Sequence, residues 1–239
     1  MESLNGGCTK DRSRQQTART IVGALLFVSL TVSAAYAFFG FLHVRDAWLQ
    51  KASPAQVRSH YLLLLVKCIL CMVVMWLPRA LARWWCLSIP DRLCAAYYAF
   101  LYGAVVLGDV FDFYHVVPQW DILLHALSGA MLCELGFLLM RQLSGEEHAL
   151  LPKSPVLAAV FAFCFALAIG ALWEIYEFIV DCILDLNMQK TRAPNGAAFV
   201  GAAALLDTMG DMIAGAFTAA AVALAGYRAY KKEVSAVGV

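Results

Sequence analysis

Residues 155–184 read PVLAAVFAFCFALAIGALWEIYEFIVDCIL. No charged residue appears before Glu174, and the stretch is longer than the roughly 20 apolar residues needed to cross a bilayer. A soluble domain of 239 residues has little use for such a run, because its volume limits its core. The whole chain agrees: 62% of its residues are hydrophobic, 15% are charged, and the mean hydropathy is +0.71. Lipid-facing sides of a helical bundle require that composition. Outward from this stretch, windows of spanning length recur at about 20–42, 60–81, 93–117, 121–141 and 205–227. The fold expected is therefore all-α, a polytopic bundle of about six transmembrane helices forming a single integral domain over 1–239. The third and fourth spans are parted only by the turn Pro118–Gln119–Trp120. The sixth, rich in Ala and Gly, is the least apolar.

The punctuation fits a membrane. Trp48, Trp84, Trp85 and Trp120 stand at predicted span ends, as an interfacial aromatic belt requires. Pro78, Pro90, Pro118, Pro152 and Pro155 mark boundaries, where a missing N–H does little harm. Arg12, Arg14 and Arg19 precede an apolar run containing Ala35–Tyr36–Ala37, a pattern resembling a signal-peptide cleavage site. The run continues through Phe38, Phe39, Phe41 and Leu42, and an uncleaved first helix is expected. With the N-terminus inside, the cytoplasmic segments hold Lys10, Arg12, Arg14, Arg19, Arg79, Arg83, Arg92, Arg141, Lys153, Arg228, Lys231 and Lys232. The outer loops hold Arg45, Lys51, Arg58, Lys190 and Arg192. Twelve against five places both termini in the cytoplasm, with basic tails at 1–19 and 228–239.

Net charge is +1, which gives no electrostatic footprint for nucleic acid. Most of the eight cysteines, among them Cys68, Cys71, Cys133 and Cys164, lie in apolar runs, where thiols act as small hydrophobes. Cys68 and Cys71 share a helix face as a CxxC pair, but no second pair or nearby histidine accompanies them.

The acids are the informative residues, since a charge inside a span costs at least ~2.5 kcal/mol on insertion scales. Asp121, His125 and Ser128 follow i, i+4, i+7. Glu174, Glu177, Asp181 and Asp185 follow i, i+3, i+7, i+11. Asp207, Asp211 and Gly215 follow i, i+4, i+8. Three helices thus each present one polar stripe. The acids, including Asp109 and Asp112 at the end of the third span, fall late in outward-running spans and early in inward-running ones. With the N-terminus inside they gather on the outer half, and reversing the topology moves the whole cluster together. So many carboxylates cannot all sit ionised in a low-dielectric site without a cation. Oxygen ligands with one imidazole suit Mg²⁺, Mn²⁺, Zn²⁺ or non-haem iron. The metal-ligand set is Asp121, His125, Glu174, Glu177, Asp207 and Asp211, with Glu174, Glu177 and His125 as acid–base groups.

Blander roles exist for several of these residues. Asp109, Asp112, Asp181 and Asp185 suit solvated helix ends, Asp121 an N-cap, and His125 a helix–helix hydrogen bond. Glu134 lies about half a turn from His125 and off the site. Lys67, two turns into the second span, suits pairing or snorkelling. Gly210, Ala214, Gly215 and Ala219 suit close helix packing.

Three blocks carry a family resemblance: Trp120–Asp121 through His125 to Ser128–Gly129, then Gly170 through Trp173–Glu174 to Glu177, then Asp207–Thr208–Met209–Gly210–Asp211. Their order resembles that of bacterial inner-membrane YjdF-like proteins, and more distantly of VanZ-like membrane proteins. The resemblance implies a multi-pass protein of the bacterial inner membrane and assigns no reaction. Three functions remain open: a metal-dependent enzyme acting on a lipid or lipid-linked head group, a cation- or proton-coupled transporter, and a non-catalytic scaffold. Crowding of the acids on one side and the lack of an internal repeat count against transport.

Overall fold

A computed structural model describes residues 2–43, 54–143, 154–193 and 195–236. Arg45, Trp48, Lys51, Pro152 and Lys153 lie outside the described residues, as do 237–239 and the side chains of 1–12, 54–56, 143 and 233–236. The described chain is helical: α1 (Glu2–Leu42), α2 (Pro54–Val74), α3 (Leu77–Trp84), α4 (Asp91–Leu101), α5 (Phe113–Val116), α6 (Trp120–Leu143), α7 (Pro155–Leu184) and α8 (Ala202–Ala236). Its only β feature among the described residues is an isolated bridge between Arg192 and Ala198. Among the described residues, six stretches are long and apolar enough to cross a membrane: Ser13–Leu42, Val57–Trp84, Asp91–Val110, Trp120–Gln142, Pro155–Leu184 and Ala202–Lys232. The chain is thus a helical polytopic membrane protein.

It divides into two compact units, 1–120 and 121–239. In the first, α1 runs unbroken through Ala35–Ala37. It packs with α2 and α4 around Leu26, Leu30, Ala37, Leu64, Tyr98 and Leu101. Cys68 and Cys71 are buried free thiols in that same core, which is the role of small hydrophobes. Arg19 closes one end on Asp91 at 2.7 Å.

The third span ends earlier than its hydropathy suggests. α4 loosens into π-helical turns over Tyr102–Val110 and stops there, seven residues before the expected boundary at 117. Asp112 takes a left-handed conformation (φ 61°), which an Asp tolerates. It breaks the helix, and the four-residue α5 follows. Asp112 and His115 therefore lie beyond the span, paired with each other at 2.6 Å and exposed.

Asp109 stays inside the span, where Lys67 on α2 donates to its Oδ1 at 2.5 Å. The pair is a partly buried ion pair, and a lone member of such a pair is costly. Lys67→Met should lower the unfolding free energy by about 2 kcal/mol, and Lys67→Met/Asp109→Leu should recover most of that loss. Thermal unfolding of the two variants in one detergent checks this.

The second unit is built on small residues. Its core holds Cys133, Ala162, Ala166, Ala219 and Ala223, one set from each of α6, α7 and α8. Lipid offers no hydrophobic drive between helices, so backbone proximity has to supply the attraction. A Cβ on Gly129 would lie 2.3 Å from the Gly215 carbonyl oxygen, and one on Gly136 2.7 Å from Ala162 Cα. Thr218 Oγ1 adds a hydrogen bond from α8 to the Ala126 carbonyl of α6 at 2.6 Å. Gly215 and Ala219 thus pack as their spacing suggests, whereas Gly210 has nothing within 4 Å of a would-be Cβ.

Candidate functional site

All six expected site residues belong to the second unit, one pair on each of its three long helices. Asp121 sits in the first turn of α6, inside the helix and not at its cap. A carboxylate there is favoured by the positive end of the helix. His125 follows one turn later. Glu174 and Glu177 lie in the second half of α7, and Asp207 and Asp211 in the first part of α8, which begins at Ala202.

Asp121, His125 and Asp211 each offer a ligand atom within 4.8 Å of the others. The imidazole stands between two acids, with Nε2 3.7 Å from Asp121 Oδ1 and Nδ1 3.8 Å from Glu174 Oε1. Both distances exceed a hydrogen bond. Asp211 is 1% exposed and Glu174 5%. Yet Asp211 Oδ1 and Oδ2, Glu174 Oε1 and Asp207 Oδ2 have no hydrogen-bond partner among the described residues. Buried carboxylate oxygens ordinarily have one. Below them lies a cavity of about 20 Å³, enough for one water-sized particle. It is lined by His125, Ser128, Gly129, Gly170, Asp211 and Gly215, among others.

Glu177 is also 5% exposed. Its Oε1 accepts a hydrogen bond from Trp173 Nε1 at 2.9 Å, one turn back along α7. Asp181 and Asp185, on the same stripe, serve the loop after α7. Asp181 accepts the backbone N–H groups of Met188 (2.8 Å) and Gln189 (3.1 Å). Asp185 ends α7 in a left-handed conformation and binds Arg192 at 2.8 Å.

Two residues of that loop enter the site, and helical periodicity has no means of finding them. The buried Gln189 donates through Nε2 to the Glu174 backbone carbonyl (3.2 Å) and to its Oε2 (3.3 Å). Lys190 donates to Asp121 Oδ2 at 2.6 Å and Asp207 Oδ1 at 2.8 Å. Burial works against the ammonium charge, but hydrogen bonding and attraction from Asp121 and Asp207 outweigh it, holding Lys190 above the ordinary lysine range. The available signal was charge balance. Acids on three helices need a cation, and the loop joining two of those helices carries Lys190 and Arg192.

The site is therefore two-tiered. Asp121 and Asp207 form an outer tier bridged by the single ammonium of Lys190. His125, Asp211 and Glu174 form an inner tier, in which Gln189 donates to Glu174 Oε2 while Glu174 Oε1 and both Asp211 oxygens meet no donor among the described residues. The model of a family described as predicted membrane proteins matches residues 24–232. No curated protein matches, and no solved structure does. The family match is consistent with the YjdF-like resemblance.

Proposed function

The chain belongs to the DUF2238 family of predicted membrane proteins, and from that premise we propose that its second unit binds a divalent metal ion at Asp121, His125 and Asp211. Glu174 Oε1 lies 3.8 Å from the His125 imidazole, and Lys190 links Asp207 to Asp121. One observation carries this reading: Asp211, almost fully buried, presents two carboxylate oxygens with no partner beside an imidazole and a second acid. A bound cation satisfies several such acceptors at once. Carboxylates with one imidazole suit Mg²⁺, Mn²⁺ or Zn²⁺.

In this reading the protein is an enzyme of the bacterial inner membrane, and its substrate is a lipid or lipid-linked head group reaching the outer face. The metal would polarise a phosphoryl oxygen or activate water. Glu174, beside the imidazole, is the candidate acid–base group, with Glu177 held in reserve by Trp173. The cavity beneath Asp211 favours a second reading, passage of a cation or proton towards the middle of the helices.

The first test is metal content. Protein purified in detergent should carry close to one Mn²⁺ or Mg²⁺ per chain after loading and desalting, measured by mass spectrometry. Asp211→Asn should carry at most a tenth as much. No metal in the loaded wild type would remove the enzyme reading. Loaded metal without turnover of phospholipid or lipid-phosphate substrates, but with ion flux into liposomes, would favour transport.

A further inference from the structure

The loop between α7 and α8 supplies the site with a cation of its own. Asp181 pins the loop through two backbone N–H groups, and Gln189 ties it to Glu174. Between these ties and Arg192, Lys190 adopts a left-handed backbone conformation (φ 45°) that a side-chain-bearing residue rarely takes. Its side chain is 39% exposed, while its partners Asp121 and Asp207 are 15% and 18% exposed. The ammonium therefore reaches the two acids from the open side and keeps a route back out. It satisfies one oxygen of each acid and leaves Glu174 Oε1 and both Asp211 oxygens without a donor among the described residues.

We propose that Lys190 is a tethered competitor for the cation site: its ammonium occupies the outer carboxylates until a divalent ion displaces it, and the loop is released as the site loads. This rests on the metal reading above and adds the regulation of that site. Asp121 is the hinge of the exchange, since one of its oxygens faces Lys190 and the other faces His125. A doubly charged ion seated between Asp121 and Asp211 repels an ammonium held a few ångströms away, so the two do not share Asp121. The competitor also sets selectivity. A singly charged ion gains no more than Lys190 already supplies, whereas a divalent ion gains more and reaches the inner acceptors as well.

The experiment is an Mn²⁺ titration of the full chain in detergent, followed by the free-ion paramagnetic resonance signal. Lys190→Gln should bind Mn²⁺ at least tenfold more tightly than the wild type. Lys190→Arg, which keeps the charge, should stay within about threefold of it. Lys190→Gln/Asp211→Asn should lose the gain. In the wild type, hydrogen exchange at the Met188 and Gln189 amides should rise when Mn²⁺ is added. Equal or weaker binding by Lys190→Gln beside an intact wild-type site would overturn the exchange and leave the metal reading standing, with Lys190 merely orienting Asp121. Absence of Mn²⁺ binding in every variant would overturn both. If Lys190→Gln does not fold, amide exchange in the wild type decides: protection unchanged by bound Mn²⁺ overturns the release.

Discussion

Asp211→Asn should unfold at a higher temperature than the wild type when divalent metal is absent, and at a lower one when it is present. Asp211 is 1% exposed, and neither of its oxygens meets a donor. A buried acceptor left in that condition costs about 1–3 kcal/mol. An amide of nearly the same shape removes the carboxylate from a crowd of acids and contributes two N–H donors of its own. The metal-free variant therefore gains. With metal the order reverses, because ligand binding stabilises the native state by about 2.7 kcal/mol at a concentration one hundred times Kd. Asp211→Asn forfeits that contribution. Thermal unfolding with and without Mn²⁺ tests the crossing directly. A wild type whose unfolding ignores Mn²⁺ contradicts cation binding. A metal-free variant less stable than the wild type means that the Asp211 carboxylate is a structural asset.

Gly129→Leu should abolish the folded second unit. The Cβ alone would sit 2.3 Å from the Gly215 oxygen and 2.8 Å from its carbonyl carbon and Cα. These are backbone atoms of α8, so no rotamer change relieves the contact. The helices must separate, and the Thr218–Ala126 hydrogen bond and the alanine core separate with them. Overpacking of this kind costs about 3 kcal/mol or more. Gly226 provides a contrast, because its close neighbour is the Phe137 ring, which is able to swing. Gly170→Ala and Gly210→Ala meet nothing within 4 Å and should be neutral or stabilising, by up to about 1 kcal/mol from helix propensity. Monodisperse yield on gel filtration and the midpoint of thermal unfolding distinguish the three variants. The effect reaches the site as well: Gly129 lies one turn past His125 and Gly215 one turn past Asp211, so this crossing sets the distance between the two side chains.

The three polar stripes were legible because helix period and insertion cost are both local properties of the sequence. Asp121 with His125, Glu174 with Glu177, and Asp207 with Asp211 each fall on one face, and the three helices of the second unit bring members of every pair together. Span ends were less legible. Hydropathy carries the third span to 117, but a left-handed Asp112 ends it, and hydropathy does not register backbone conformation. Partition among the acids was also hidden. Asp181 and Asp185 share the Glu174 stripe yet bind loop groups, and that depends on how residues 185–201 fold back. Lys190 was counted as a topological charge in an outer loop. Its role depends on a three-dimensional return of the chain that no periodicity encodes.

The division of labour between α7 and the loop bears on how the protein is made. α7 is the most apolar of the six spans and α8 the least. A nascent chain emerges from the ribosome in order, so Glu174 and Glu177 reach the membrane before Lys190, Asp207 or Asp211 has been synthesised. The long apolar half of α7 must therefore carry two carboxyl groups into lipid before their partners in the loop and α8 exist. α8, poorer in apolar residues and bearing two further acids, arrives to find Lys190 and small-residue surfaces already waiting. Its integration is then an act of docking onto protein, and the last span of this chain enters the bilayer by assembly more than by partition.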